Sequence, residues 1–314
     1  MSLTGPKRLV LRGVQLVSLL ALAGYAAQAA WTVCGESADN FFEIYVYNAM
    51  IFAAAGLCLA RAAGGDRERV AWLVLGGGLL AWAAGEAYYS IFLDELTAPP
   101  APSVSDGLWL AFFPACYVAI VLLVRERVLQ FRSSLWLDGV VGALAASAIA
   151  AALIFGTVVD GGTNDSVIAV DLAYAIGDLL LLGFVVAVFG LTGWRPGRAL
   201  MLVGAALATS AIVDGWFLYN LATGQTVDTT LVASLWPAAA LLLGFAAWQR
   251  PALAEPIRLE GWRVMLMPSA FAVAALALLG YHTLQPQSAL ALALAVATLA
   301  AVIVRMSVTF RENI

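Results

Sequence analysis

Apolar residues run along this chain in long blocks separated by short polar turns. Ten blocks reach the roughly 20 residues that a helix needs to cross the hydrocarbon of a bilayer. They fall at about 9–31, 42–63, 70–93, 106–124, 135–158, 167–192, 199–221, 229–248, 264–284 and 289–309. The pattern predicts an all-α integral membrane protein, a bundle of about ten transmembrane helices forming one polytopic domain over 1–309. The first block reads as a retained span. Its apolar run is long for a signal peptide, and Trp31 to Glu36 offers no small-x-small cleavage site.

Composition agrees with the pattern. Of 314 residues, 63% are hydrophobic and 11% charged, against about 45–50% and 25% in soluble domains. Soluble-enzyme and nucleic-acid-binding classes are thereby set aside. The net charge of −4 says little until it is sorted by loop. With ten spans, all 16 Lys and Arg residues fall on the side of the N-terminus, and the opposite loops carry only acids such as Glu36, Asp39, Asp94 and Glu95. Positive residues favour the cytoplasm, so both termini are expected there, in a multi-pass protein of a bacterial cytoplasmic membrane. The cysteines, Cys34, Cys58 and Cys116, are too scattered for a disulfide framework or a metal site, and the single His282 argues against bis-histidine haem. No cofactor or metal is expected.

Ionisable residues within spans are costly in hydrocarbon and are functional candidates by default. Here they are acids: Glu43, Glu86, Asp106, Asp138, Asp171, Asp178 and Asp214. Glu86 and Asp214 fall toward the outer ends of their helices, Asp171 is shallow, and Asp178 is near the middle of its span. Asp171 and Asp178, seven residues apart, share a face with Tyr174 between them. Asp106 opens a helix and has the position of an N-cap. Asp138 lies near the inner end of its span, where Arg132 is the expected partner. No base lies at the depth of Glu86, Asp178 or Asp214, and a buried carboxyl without a cation tends to keep its proton. Two readings stay open. The acids, with Tyr174 and Trp216, ring an outward-facing cavity for a cationic or polar ligand or for protons; or they join helices by hydrogen bonds.

Small residues from Gly142 through Ala152 predict a closely packed central helix. Pro114, Pro237 and Pro268 are expected to kink their helices, and Gly76, Gly77 and Gly78 to loosen theirs. Glu86-Ala87-Tyr88-Tyr89 and Asp214-Gly215-Trp216-Phe217 repeat an acid–small–aromatic–aromatic pattern, each followed by a proline-bearing span. Asp171 to Tyr174 echoes Asp106 to Trp109 in turn. These are weak parallel hairpin repeats, whereas inverted repeats are the stronger pointer to alternating-access transport.

Asp106 to Pro114 (DGLWLAFFP), Leu137 to Gly139 (LDG) and Ala173 to Leu182 (AYAIGDLLLL) together carry a resemblance. From about residue 70 onward the chain resembles the polytopic N-terminal membrane region of bacterial, notably actinobacterial, diguanylate cyclases and GGDEF–EAL proteins. The resemblance implies that 310–314 begin a cytoplasmic signalling helix leading to an output domain that this sequence does not contain. It also implies a homodimer formed through the last helix and that output domain. With no GGDEF or EAL motif, the chain as given is not expected to be an enzyme. The expected function is a membrane-embedded sensory input module, with the bilayer, a small cationic or polar ligand and a second copy as partners. The alternatives are a proton- or cation-coupled transporter, or an anchor that only dimerises its output.

Overall fold

The protein is described here from a computed structural model that covers residues 5–65, 68–94, 96–97, 99–127, 137–138, 140–145, 147–149, 151–152, 165–192, 195–222, 231–249, 263–284 and 288–312. Among the described residues every regular element is helical. In order these are α1 (Gly5–Trp31), a π-helical turn (Phe41–Tyr47) leading into α2 (Asn48–Ala62), and α3 (Arg69–Tyr88), which runs into a second π-helical turn (Tyr89–Leu93). Then come α4 (Val104–Leu110), α5 (Phe112–Arg127), α6 (Val140–Ile149), α7 (Asp165–Leu191) and α8 (Gly197–Ala222). A short 3₁₀ turn (Leu231–Ser234) leads into α9 (Leu235–Ala246), followed by α10 (Arg263–His282) and α11 (Ala289–Glu312).

Seven of the predicted blocks coincide with helices long and apolar enough to cross a membrane. The other three coincide with shorter apolar helices, Val140–Ile149, Leu231–Ala246 and Pro268–His282. The all-α reading therefore holds, and among the described residues length and apolarity directly support seven of the ten expected spans. Exposed side chains on α1 and α11 are largely apolar, with Leu9, Val10, Leu20, Val296, Ile303 and Phe310 all open to the surroundings. Outward apolar belts of this kind fit hydrocarbon rather than water.

The main core brings α2, α3, α5, α7, α8 and α9 together around Ile51, Ala54, Trp72, Leu79, Ile120 and Leu241. A second, smaller core joins α6, α10 and α11 through Ala148, Ala275 and Ala295. Close helix approach is made by small residues, as expected where hydrocarbon replaces water as the solvent. A Cβ on Gly78 would sit 2.5 Å from that of Ala115, and one on Gly244 would sit 3.0 Å from the Cα of Ala54. Gly142 sits where any side chain would meet Val186, and Gly183 packs against Ala143 and Ser147, so α6 lies directly on α7. The small-residue stretch is thus a packing face between the two cores.

Several local expectations are corrected. α3 is unbroken from Arg69 to Tyr88, and Gly76 and Gly78 are contact points against Leu59 and Ala115 rather than loose joints. Pro237 falls in the first turn of α9, where a missing N–H has no intrahelical acceptor to lose, whereas Pro114 lies three residues after Ala111, where the expected break is present. Pro268 is inside α10. The fourth predicted span is two helices meeting at Ala111, whose N–H still donates to the Gly107 carbonyl. Asp106 is not the N-cap. Ser103 holds that position, and Asp106, three residues on, accepts from the Ser103 N–H (2.7 Å) and hydroxyl (2.9 Å).

Candidate functional site

Asp178 in the middle of α7 and Asp214 on α8 are hydrogen-bonded to one another, and Glu86 near the end of α3, held by donors of its own, lies within electrostatic reach of Asp214. Asp178, 7% exposed, bonds directly to Asp214 across the α7–α8 contact. A bond between two carboxyl groups requires a proton on one of them, because two bare carboxylates repel and neither can donate. Asp214 also accepts from the Trp236 indole N–H at 2.6 Å and from the hydroxyl of Ser210, one turn back on its own helix. Glu86 accepts from the indole of Trp82, again one turn back, at 3.1 Å, and from the phenol of Tyr47. Cys116 and Tyr117 face Asp178 from α5, and Tyr117 donates to the Gly177 carbonyl at 3.2 Å. No Lys or Arg appears among these partners in the described residues.

A second, looser tier lies toward the open ends of α4 and α7. The Tyr174 hydroxyl donates to Asp106 at 3.1 Å, and Asp171, half-buried, has Asp106 as its acidic neighbour. Tyr174 also lies within electrostatic reach of Asp214 and Glu86, which links the two tiers. The structure therefore gathers Glu86, Asp178 and Asp214 and keeps Asp171 and Tyr174 beside them, with Trp216 two residues along α8 from Asp214. The ring that packs on Trp236, at 5.8 Å between centroids, is Phe217. Three buried polar atoms in this region lack a hydrogen-bond partner: Asn48 Oδ1, Ser105 Oγ and Trp109 Nε1.

Sequence reasoning missed the donors. Trp82 and Ser210 were findable, since each stands four residues before its acid on the same helix face. Tyr47 and Trp236 come from other elements and carried no local signal. The π-helical turn matters for Tyr47: such turns are rare and recur at functional sites, and this one brings a buried tyrosine (8% exposed) to Glu86. Tyr47 in turn packs on Tyr25 of α1, also buried, at 5.6 Å between ring centroids.

At the other end of the bundle, Asp138 pairs with Arg305 of α11 rather than with Arg132, which lies outside the described residues. The Arg305 Nε donates to one carboxylate oxygen at 2.6 Å and a terminal nitrogen to the other at 3.1 Å. Arg305 is only 1% exposed, so this fork-shaped ion pair fastens the last helix inside the protein.

No protein-family model, curated protein or solved structure matches the chain.

Proposed function

We propose that the chain is the input module of a signalling protein in a bacterial cytoplasmic membrane. It would cross the membrane ten times, from hairpins repeated in parallel, with both termini in the cytoplasm. α11 leads to an output domain, a diguanylate cyclase by the resemblance noted above, and the working unit is a homodimer. One observation carries the reading: carboxyls from three different helices lie together, Asp178 hydrogen-bonded to Asp214, a contact that needs a proton, and Glu86 within electrostatic reach of Asp214. Gaining or losing that proton, or exchanging it for a cation, changes the charge at the point where α3, α7 and α8 meet. α7 carries that change onward. The Ser147 hydroxyl of α6 reaches the carbonyl of Leu179, the residue after Asp178, at 3.5 Å, and α6 packs on α10 and α11. The Asp138–Arg305 pair then fastens the helix that leads to the output.

The test is a fusion of residues 1–314 to a cyclase output, with Glu86→Gln, Asp178→Asn and Asp214→Asn made singly. Altered cyclic di-GMP production across external pH in at least one variant is expected. Wild-type response in all three refutes the reading. The carboxyl pair is also chemistry that a proton-coupled transporter would use. Substrate-dependent proton uptake in proteoliposomes, lost in Asp178→Asn, would favour that second reading.

A further inference from the structure

Beside the clustered acids, where α1 ends and the first π-helical turn begins, the fold forms a half-open cavity of about 150 Å³. Its wall includes Tyr25, Gln28, Thr32, Asp39, Phe42 and Glu43. We propose that this cavity binds a compact organic ammonium ion, and that its occupancy reaches the buried carboxyls through the Tyr25–Tyr47 pair.

The wall is built, not incidental. Gln28, 3% exposed, donates to the Gly35 carbonyl (2.9 Å) and to Asp39 Oδ1 (2.7 Å), and accepts from the Cys34 N–H (2.8 Å). Those three bonds fold the turn after α1 back over the cavity and fix Asp39 at its edge. One oxygen of Asp39 is thus engaged. Its other oxygen and the whole Glu43 carboxylate have no hydrogen-bond donor or ion pair among the described residues. Two carboxylates with free acceptor capacity and no basic residue in the lining select for a cation.

The rest of the lining selects which cation. Phe42 and Tyr25 bring aromatic rings, whose faces attract ammonium groups and bury alkyl carbon. A bare metal ion gains nothing from these rings, and the described residues hold no group of three or more metal-ligating acids, histidines or cysteines. An apolar cavity of about this volume takes up a molecule the size of benzene, which sets the scale of the ligand. The π-helical turn supplies the connection: Phe42 and Glu43 line the cavity, and Tyr47, a wide turn later, bonds to Glu86. Tyr25 stands between, lining the cavity, packed at a tilt against Tyr47 and within electrostatic reach of both Glu43 and Glu86. The binding half of the proposal stands on the cavity alone; the coupling half rests on the sensing function proposed above.

The experiment titrates the purified chain in maltoside micelles with choline and with its neutral isostere 3,3-dimethyl-1-butanol, by calorimetry. Saturable single-site choline binding is expected, with the neutral isostere at least about tenfold weaker, the discrimination a charged contact typically gives. Glu43→Gln should weaken choline by about tenfold, and Phe42→Leu by about threefold. Asp39→Asn, which keeps the acceptor for Gln28, gives a second charge test if Glu43→Gln folds poorly. Equal binding of the isostere, the absence of saturable binding, or calcium displacing choline at lower concentration overturns the site. In the cyclase fusion, Asp214→Asn should bind choline normally and lose the response to it. A retained response overturns the coupling alone, and a wild-type fusion that binds choline without responding overturns the sensing function but not the site.

Discussion

Replacing Arg305 by alanine strands the Asp138 carboxylate in a position where its side chain is 6% exposed. The wild-type pair is well placed, with a fork of two N–H donors on the two carboxylate oxygens at 2.6 and 3.1 Å. Forming such a pair gains little, because desolvating both ions offsets their attraction. Removing one partner is different, since the remaining charge keeps its desolvation cost without the compensation, about 3–5 kcal/mol. At about 2 °C of melting temperature per kcal/mol for a chain of this size, Arg305→Ala should melt about 6–10 °C lower. Cys58 and Cys116 are buried, so a thiol-reactive fluorophore in detergent reports the unfolding directly. The decisive comparison is a double variant, Asp138→Leu with Arg305→Met, which replaces both ions by apolar groups of similar volume. It should recover most of the loss, because no charge is stranded. Arg305→Lys should fall between, keeping the charge but losing the fork. The reasoning fails if Arg305→Ala melts with the wild type, or if the double variant is no more stable than the single one.

Other perturbations follow from the same geometry. The Asp178–Asp214 bond needs a proton, so losing it brings two negative charges together: thermal stability should fall as pH rises through that loss. Asp178→Asn, which keeps a donor without a titrating proton, should flatten the dependence. Gly78→Ala must push α3 and α5 apart and should cost about 1–3 kcal/mol, whereas a Cβ on the neighbouring Gly77 meets nothing within 4 Å. Gly77→Ala should therefore be neutral or stabilise by up to about 1 kcal/mol, and a pair of melting curves separates the two. Tyr174→Phe removes the bond to Asp106 and should cost about 0.5–1.5 kcal/mol in the same assay, with the core acids still functional in the fusion.

The helices were legible because a membrane helix must satisfy its backbone internally and face hydrocarbon, which writes itself into sequence as long apolar blocks. Lengths were legible less well. α9 is short and packed between α2 and α8, so its burial comes from neighbours rather than from span length. The identity of the three central acids was legible for a related reason, since any carboxyl within such a block stands out. Their geometry was not. Asp178 meets Asp214 because α7 packs on α8, and no local pattern encodes that contact. The Asp138–Arg305 pair is harder still, with partners 167 residues apart and an arginine whose position reads as a cytoplasmic end charge.

Glycine and proline show why local rules misjudged details that global packing decided. Both residues weaken an isolated helix, so Gly76 to Gly78 and Pro237 read as sites of breakage. Between helices the same features become assets. Gly78 gives α3 and α5 room to approach, and Pro237 sits in a first turn where its missing N–H costs nothing. Other irregularities are π-helical turns at Phe41–Tyr47 and Tyr89–Leu93, in segments with neither residue. Asn48 and Ser90, bonded at 3.3 Å, tie the neighbourhoods of these two turns together. Among the described residues, both π-helical turns therefore lie beside the acids and contain neither glycine nor proline. π-helical turns recur where a protein recognises or responds to something, and here they stand at the end of the bundle where Glu43, Glu86 and Asp214 gather around Tyr25 and Tyr47.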